Sequence, residues 1–188
     1  MIDAKGDRRD AWQVLANGAA AALLALFGSS DPALRTWLVT AALSAAAADT
    51  WASSLGALSR AAPRLLWSRG EVPPGTSGGI TAVGNLGAVA GAAVVSGTGA
   101  LLTGSTRLLG VGILIGFLGM LVDSLLGGVM QGTFWCAHCE QPSEWRVHRC
   151  GTRTERKSGW VWLNNDGVNL LATAISGGLA WAVWRWLD

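Results

Sequence analysis

Asp49, Asp123 and Asp166 each stand inside an apolar stretch long enough to cross a bilayer. A carboxylate at that depth costs roughly 3 kcal/mol or more, so intramembrane acids ordinarily face a protein interior or a polar cavity and mark function. Converging carboxylates suit a hard divalent cation such as magnesium, which takes one or two of them and fills its shell with water and substrate phosphates. Asn165 and Asn169 are spaced i, i+4, and Asp166 and Asn169 i, i+3, so all three can point into one site. The segment from Pro63 to Gly79 supplies the complementary charge: Arg64 and Arg69 can clamp phosphate oxygens. Gly75, Thr76, Ser77, Gly78 and Gly79 can let backbone amides approach an anion. Acids facing a basic, glycine-rich loop predict phosphoryl or nucleotidyl transfer, chemistry that needs positioning and charge neutralisation more than covalent catalysis. Each feature has a plainer reading. A lone Asp can cap a broken helix or pair with an arginine, the loop can be only a turn, and the asparagines can be interhelical glue. The conjunction favours a site.

A second constellation lies in the polar stretch 131–160. Cys136, Cys139, His148 and Cys150 form C-x2-C-x8-H-x-C, three thiolates and an imidazole for a tetrahedral zinc, with His138 as an alternative ligand. Four protein ligands leave no open position, so such a zinc is structural and orders a loop too short of core to fold alone. On a cytoplasmic face the three cysteines stay reduced, and their odd number weighs against simple disulfide pairing.

These residues need apolar elements to hold them. The chain is 51% hydrophobic and 14% charged with 26 glycines, and its mean hydropathy is +0.37, whereas soluble domains carry roughly 25% charged residues. A net charge of +2 gives no argument for nucleic acid. Apolar runs predict five spans, at Ala11 to Gly28, Ala33 to Leu58, Ile80 to Ser96, Thr106 to Met130 and Val161 to Trp186. The fold class is therefore all-α, a polytopic transmembrane bundle forming one domain over residues 1–188, with a small cytoplasmic Cys/His loop inserted at 131–160. Gln13 and Asn17 are wrong for the core of a cleaved signal peptide. Ala45 to Ala48 and Gly110, Gly112, Gly116 and Gly119 permit close helix packing, within the chain or in an oligomer.

Orientation follows from the basic residues. Lys5, Arg8, Arg9, Arg60, Arg64, Arg69, Arg146, Arg149, Arg153, Arg156 and Lys157 fall on one side; Arg35, Arg107 and Arg185 fall on the other. The positive-inside rule then puts the amino terminus in the cytoplasm and the carboxyl terminus outside the cell (inner) membrane, with all three acids near the cytoplasmic face. Trp12, Trp37, Trp160, Trp162, Trp184 and Trp186 stand near span ends, as an interfacial aromatic belt requires.

Five ordered blocks carry a family resemblance. They are Asp49-Thr50-Trp51-Ala52-Ser53 with Gly56; Pro73-Pro74-Gly75-Thr76-Ser77-Gly78-Gly79; Asp123-Ser124-Leu125-Leu126-Gly127 with Gln131; the Cys-x-x-Cys and His-x-Cys-Gly pair; and Trp162-Leu163-Asn164-Asn165-Asp166 with Val168 and Asn169. Together they resemble the domain of unknown function 92 family, which includes transmembrane protein 19 and phytyl-phosphate kinases of plants and cyanobacteria. More distantly, the Asp-Thr stretch and the glycine loop are similar to those of dolichol kinases and phosphatidate cytidylyltransferases. The resemblance implies a membrane kinase that passes a phosphoryl group from a nucleoside triphosphate to an isoprenoid (phytyl or polyprenyl) monophosphate. Asp49, Asp123 and Asp166 would be its catalytic magnesium ligands. Ser54 departs from the pattern, standing where the family usually has an acid. A CTP-dependent lipid cytidylyltransferase, and a non-enzymatic transporter or scaffold, are the alternatives; acids confined to one half of the membrane weigh against a transport route.

Overall fold

A computed structural model describes residues 11–187, so Lys5, Arg8 and Arg9, which enter the orientation count, lie outside the described residues. Five helices follow in order: α1 (Ala11–Phe27), α2 (Pro32–Gly56), α3 (Ala82–Thr103), α4 (Thr106–Val129) and α5 (Asn165–Leu187). Short strands β1 (Arg64–Leu65) and β2 (Gly79–Ile80) lie between α2 and α3; β3 (Thr133–Cys136), β4 (Gln141–Ser143) and β5 (Glu155–Ser158) lie between α4 and α5.

Local chemistry sets the helix ends. Pro32 opens α2 behind Asp31, whose carboxylate accepts from the Ala33 amide at 2.9 Å. Thr81 and Ser105 cap α3 and α4 in the same way, and α3 stops at Gly104, left-handed at φ 68. The spacing that predicts an end at Ser96 reads Gly97-Thr98-Gly99 as a turn. The helix continues through it, because Gly99 is buried where α3 presses on Thr40 of α2. At the other correction, α5 starts at Asn165 rather than Val161, since Trp160 and Leu163 are tied by backbone hydrogen bonds to the end of α4: Trp160 N donates to Met130 O and Gly132 N to Leu163 O.

The helices α3, α4 and α5 are each long and apolar enough to span a membrane, and α1 is a shorter apolar helix of 17 residues. Less apolar α2 touches all four others, and its interior position removes the need for a lipid-compatible face all round. Small residues let it sit there: Ala42, Ser44 and Ala48 are fully buried, and the Ser44 and Ser96 hydroxyls share a hydrogen bond of 2.9 Å across to α3. Outward faces carry Leu86, Leu101 and Leu102 well exposed, as lipid contact requires. Trp37 departs from the aromatic belt: it is buried edge-on against Trp184, ring centres 5.1 Å apart, and joins α2 to α5.

Helix direction decides which loops share an end. Gly84 of α3 abuts Ala52 whereas Gly99 abuts Thr40, so α2 and α3 are antiparallel, and Gly119 of α4 meets both Ala45 of α2 and Ser176 of α5. The end of α2, the start of α3, the end of α4 and the start of α5 therefore gather at one pole, with both long connections above them.

Candidate functional site

The α2–α4 contact places the acids. From the layer where Gly119 meets Ala45, Asp49 and Asp123 each lie one turn further toward the looped pole, and they are close enough for their charges to interact. The Oδ2 atom of Asp123 is buried with no hydrogen-bond partner. A buried carboxylate oxygen without a donor is costly, and a cation or a proton is what satisfies it. Asp166 is not at that depth. It stands in the first turn of α5, on the order of ten residues from Ser176, which sets it about 9 Å nearer the pole at ~1.5 Å per residue. That position complements the helix dipole, and the Asn164 side chain accepts from the Gly167 amide at 2.9 Å beside it. Asn169 is buried one turn below Asn165 on the same helix. The three acids thus form a deep pair and a shallower single.

Over this pole folds the segment 57–81. Strands β1 and β2 pair antiparallel with Leu65 opposite Gly79, and the Trp67 ring lies on Gly128 at the end of α4. Gly78, at φ 81, packs so closely on the Ser124 carbonyl and Gly128 that no side chain fits. The glycine loop therefore sits one turn beyond Asp123. Within it, the Thr76 amide bonds to Pro73 O at 3.2 Å and the Gly79 amide to Thr76 O at 3.0 Å. Those two amides are used within the turn itself. Arg64 forms an exposed pair with Glu71 at 2.8 Å, and Arg69 sits in a tight turn at φ 55 with its side chain in solvent.

The 131–160 stretch is not simple loop. Its strands form a three-stranded antiparallel sheet in the order β4-β3-β5, and two of its turns project the metal-type residues. Cys136 ends β3, Cys139 follows in the turn, and His148 and Cys150 come from the turn closed by Gly151 at φ 83. Ligand atoms of Cys136, Cys139, His148 and Cys150 all lie within 4.8 Å of one another, a group able to hold a metal ion. The Cys136 and Cys150 sulfurs are 3.6 Å apart. Thiolates at ~2.3 Å from a tetrahedral ion stand about 3.8 Å apart, whereas a disulfide needs about 2.05 Å, so the spacing fits ligation. The alternative ligand His138 is exposed and approaches Cys139 at 3.6 Å from outside the group. Hydrogen bonds from Thr152 and then His148 lower the Cys150 thiol from its ordinary 9.0 to about 5, whereas its bond with Cys150 and burial push Cys139 up to about 11.

One residue joins the two connections and was not legible as a site residue. Glu144, just past β4, accepts from the Ser77 hydroxyl at 2.9 Å and from the buried Gln131 amide at 3.1 Å. Nothing in the spacing around Glu144 signals this, because both partners are remote in sequence.

Two cavities, of about 250 Å³ and about 520 Å³, lie elsewhere. Residues such as Trp37, Arg107 and Trp184 line the first, and Arg35, Thr40 and Val95 the second, both in the half of the bundle away from the acids.

A helical bundle with lipid-compatible faces and polar side chains concentrated at one pole is an integral membrane protein. The chain belongs to the family described as Integral membrane protein DUF92, whose model matches residues 1–177. Among relatives, it is similar to the Uncharacterized membrane protein MJ0933 of Methanocaldococcus jannaschii, 34% identical over 170 residues, covering 87% of this chain and 58% of the relative. It is also similar to Protein PGR of Arabidopsis thaliana, 31% identical over 199 residues, covering 92% of this chain and 68% of that protein. The chain thus spans between about half and two thirds of the length of these relatives. No solved structure matches it.

Proposed function

We propose that this membrane protein is a kinase that transfers a phosphoryl group from a nucleoside triphosphate to an isoprenoid monophosphate, phytyl or polyprenyl, at its acid-bearing pole. The observation that carries the reading is the buried, donorless Oδ2 of Asp123 beside Asp49, one turn beneath a glycine loop. Asp49 and Asp123 would hold magnesium, which would supply charge neutralisation for crowded phosphate oxygens. Asp166, Asn165 and Asn169 would line the mouth, about two turns nearer the pole than the deep pair. Gly75, Ser77 and Gly78 offer amides, and Thr76 and Gly79 keep the turn. Arg64 and Arg69 hold phosphate oxygens at the rim. The Arg64–Glu71 pair is exposed on both sides, the kind worth roughly 0–1 kcal/mol, so an incoming phosphate displaces Glu71 at little cost.

In the reaction an oxygen of the acceptor's phosphate attacks the terminal phosphorus in line. The bond from that phosphorus to the bridging oxygen breaks, nucleoside diphosphate leaves, and the acceptor gains a pyrophosphate linkage. The acceptor's hydrocarbon tail lies against the apolar outer faces of the helices. The pole faces the cytoplasm, the carboxyl terminus lies outside the inner membrane, and the Cys136, Cys139, His148 and Cys150 group binds structural zinc.

Purified protein incubated with magnesium, labelled nucleotides and isoprenoid monophosphates should yield nucleoside diphosphate and an isoprenoid diphosphate by mass. Asp123→Asn should abolish this turnover while the protein stays folded in detergent. Pyrophosphate release would mark a cytidylyltransferase instead, and no binding of magnesium–nucleotide would mark a transporter or scaffold; either result overturns the kinase.

A further inference from the structure

The Cys/His sheet and the glycine loop are far apart in sequence, and one carboxylate bridges them. Glu144 follows β4 directly, five residues after Cys139 and four before His148, so its position is set by the two turns that bring the thiols together. Its Oε1 takes the Ser77 hydroxyl at 2.9 Å and the Gln131 amide at 3.1 Å. Gln131 is 3% exposed, its own amide is bonded to Leu126 O, and it pairs with Trp160, so it is fixed to the end of α4. Ser77 is the residue before Gly78, the glycine wedged against Ser124 and Gly128. A single acceptor therefore spans the metal-type module, the end of α4 and the loop that overlies Asp123.

We infer that Glu144 is a positioning residue that couples occupancy of the Cys136, Cys139, His148 and Cys150 site by a zinc-class divalent ion to the order of the 73–79 loop. The physical basis is that the module has little else to hold it. Strand β5 is exposed throughout, and Phe134, Cys136, Ser143 and His148 supply most of its buried side chains, so ligand bonds carry much of its folding. Without the ion the two turns relax, Glu144 is no longer held over Ser77, and the loop loses a charge-assisted hydrogen bond. With the ion bound, the loop is held against α4. This deepens the reading of the loop as a phosphate holder and rests on that reading only for its consequence in turnover.

Hydrogen exchange of the full chain in detergent tests the coupling without any nucleotide. In the zinc-loaded protein, stripping zinc with a strong chelator should speed exchange of amides in 73–79 about tenfold, the size expected for losing a hydrogen bond to a charged acceptor. Glu144→Ala should show that faster exchange with zinc still bound, and chelation should add nothing further in 73–79. Glu144→Gln keeps an acceptor oxygen but loses the charge, so its exchange in 73–79 should fall between the unaltered protein and Glu144→Ala. Ser77→Ala removes the same bond from the loop side and should match Glu144→Ala, which keeps the test decisive if the latter folds poorly. Chelation that speeds the loop equally with and without Glu144, or a loop indifferent to both Glu144→Ala and Ser77→Ala, overturns the inference. A positive exchange result with no phosphoryl transfer leaves the coupling standing and removes only the kinase.

Discussion

At Gly78 the backbone takes φ 81, and a Cβ there would fall 2.6 Å from the Ser124 carbonyl oxygen and 2.7 Å from the Gly128 Cα. Gly104 shares the left-handed conformation, φ 68, with open space around it. Gly104→Ala should therefore cost only the backbone term, roughly 1–2 kcal/mol. Gly78→Ala should cost on the order of 3 kcal/mol and weaken nucleotide binding, because the loop must lift from α4 to make room. Thermal unfolding in detergent and nucleotide titration check the contrast. The thiols give a second test. With Cys150 lowered to about 5 it is thiolate at neutral pH, while Cys139, raised to about 11, keeps its proton. In metal-free protein, mapped alkylation at pH 7 should label Cys150 well before Cys139, and the Cys150 rate should fall only as the pH drops toward 5. Residue chemistry of this kind was readable in part: C-x2-C-x8-H-x-C announces by type and spacing the four residues that come together in a group able to hold a metal ion. The different depths of Asp123 and Asp166, and the role of Glu144, were not, since spacing within one segment says nothing about its register against another.

Close helix approach is what brings the deep acids together. A Cβ on Gly119 would stand 2.5 Å from the Ala45 Cβ, and one on Gly116 2.9 Å from the Ser44 Cβ, so α2 and α4 touch almost backbone to backbone. Gly110, another member of the same small-residue series, has nothing within 4 Å. Gly119→Val should push α4 from α2, destabilise the bundle by roughly 1–3 kcal/mol and reduce magnesium-dependent nucleotide binding. Gly110→Ala should leave nucleotide binding unchanged and add up to about 1 kcal/mol of helix stability. Melting curves of the two variants decide it. The helices themselves were legible, because apolar runs bounded by Asp31-Pro32, Thr81 and Ser105 carry their own start signals. The last two turns of α3 were not: Gly97 and Gly99 look like turn residues locally, and it is packing on Thr40 that makes glycine the right choice inside a helix. The sheet of β3, β4 and β5 was hidden too, its strands being only 3–4 residues long and mostly polar.

Across the membrane, the bundle gathers the 57–81 and 130–164 connections at one pole, and the described basic residues are concentrated in those same connections. If that pole is cytoplasmic, a membrane-impermeant maleimide should leave Cys150 unlabelled in sealed right-side-out vesicles and label it in inverted ones, both prepared with a chelator. Labelling from outside would reverse the orientation. Hydropathy, charge asymmetry and motif order were sufficient to read a helical membrane protein and its family, because bilayer thickness and the exclusion of unpaired backbone groups from lipid constrain every span in the same way. Which polar side chains meet was a different matter. The pairing of Asp49 with Asp123, the setting of Asp166 nearer the mouth, and the bridge from Glu144 to Ser77 arise where segments distant along the chain pack at a particular register. Register comes from the fit of glycines against alanines and serines on neighbouring helices, a property of no single segment.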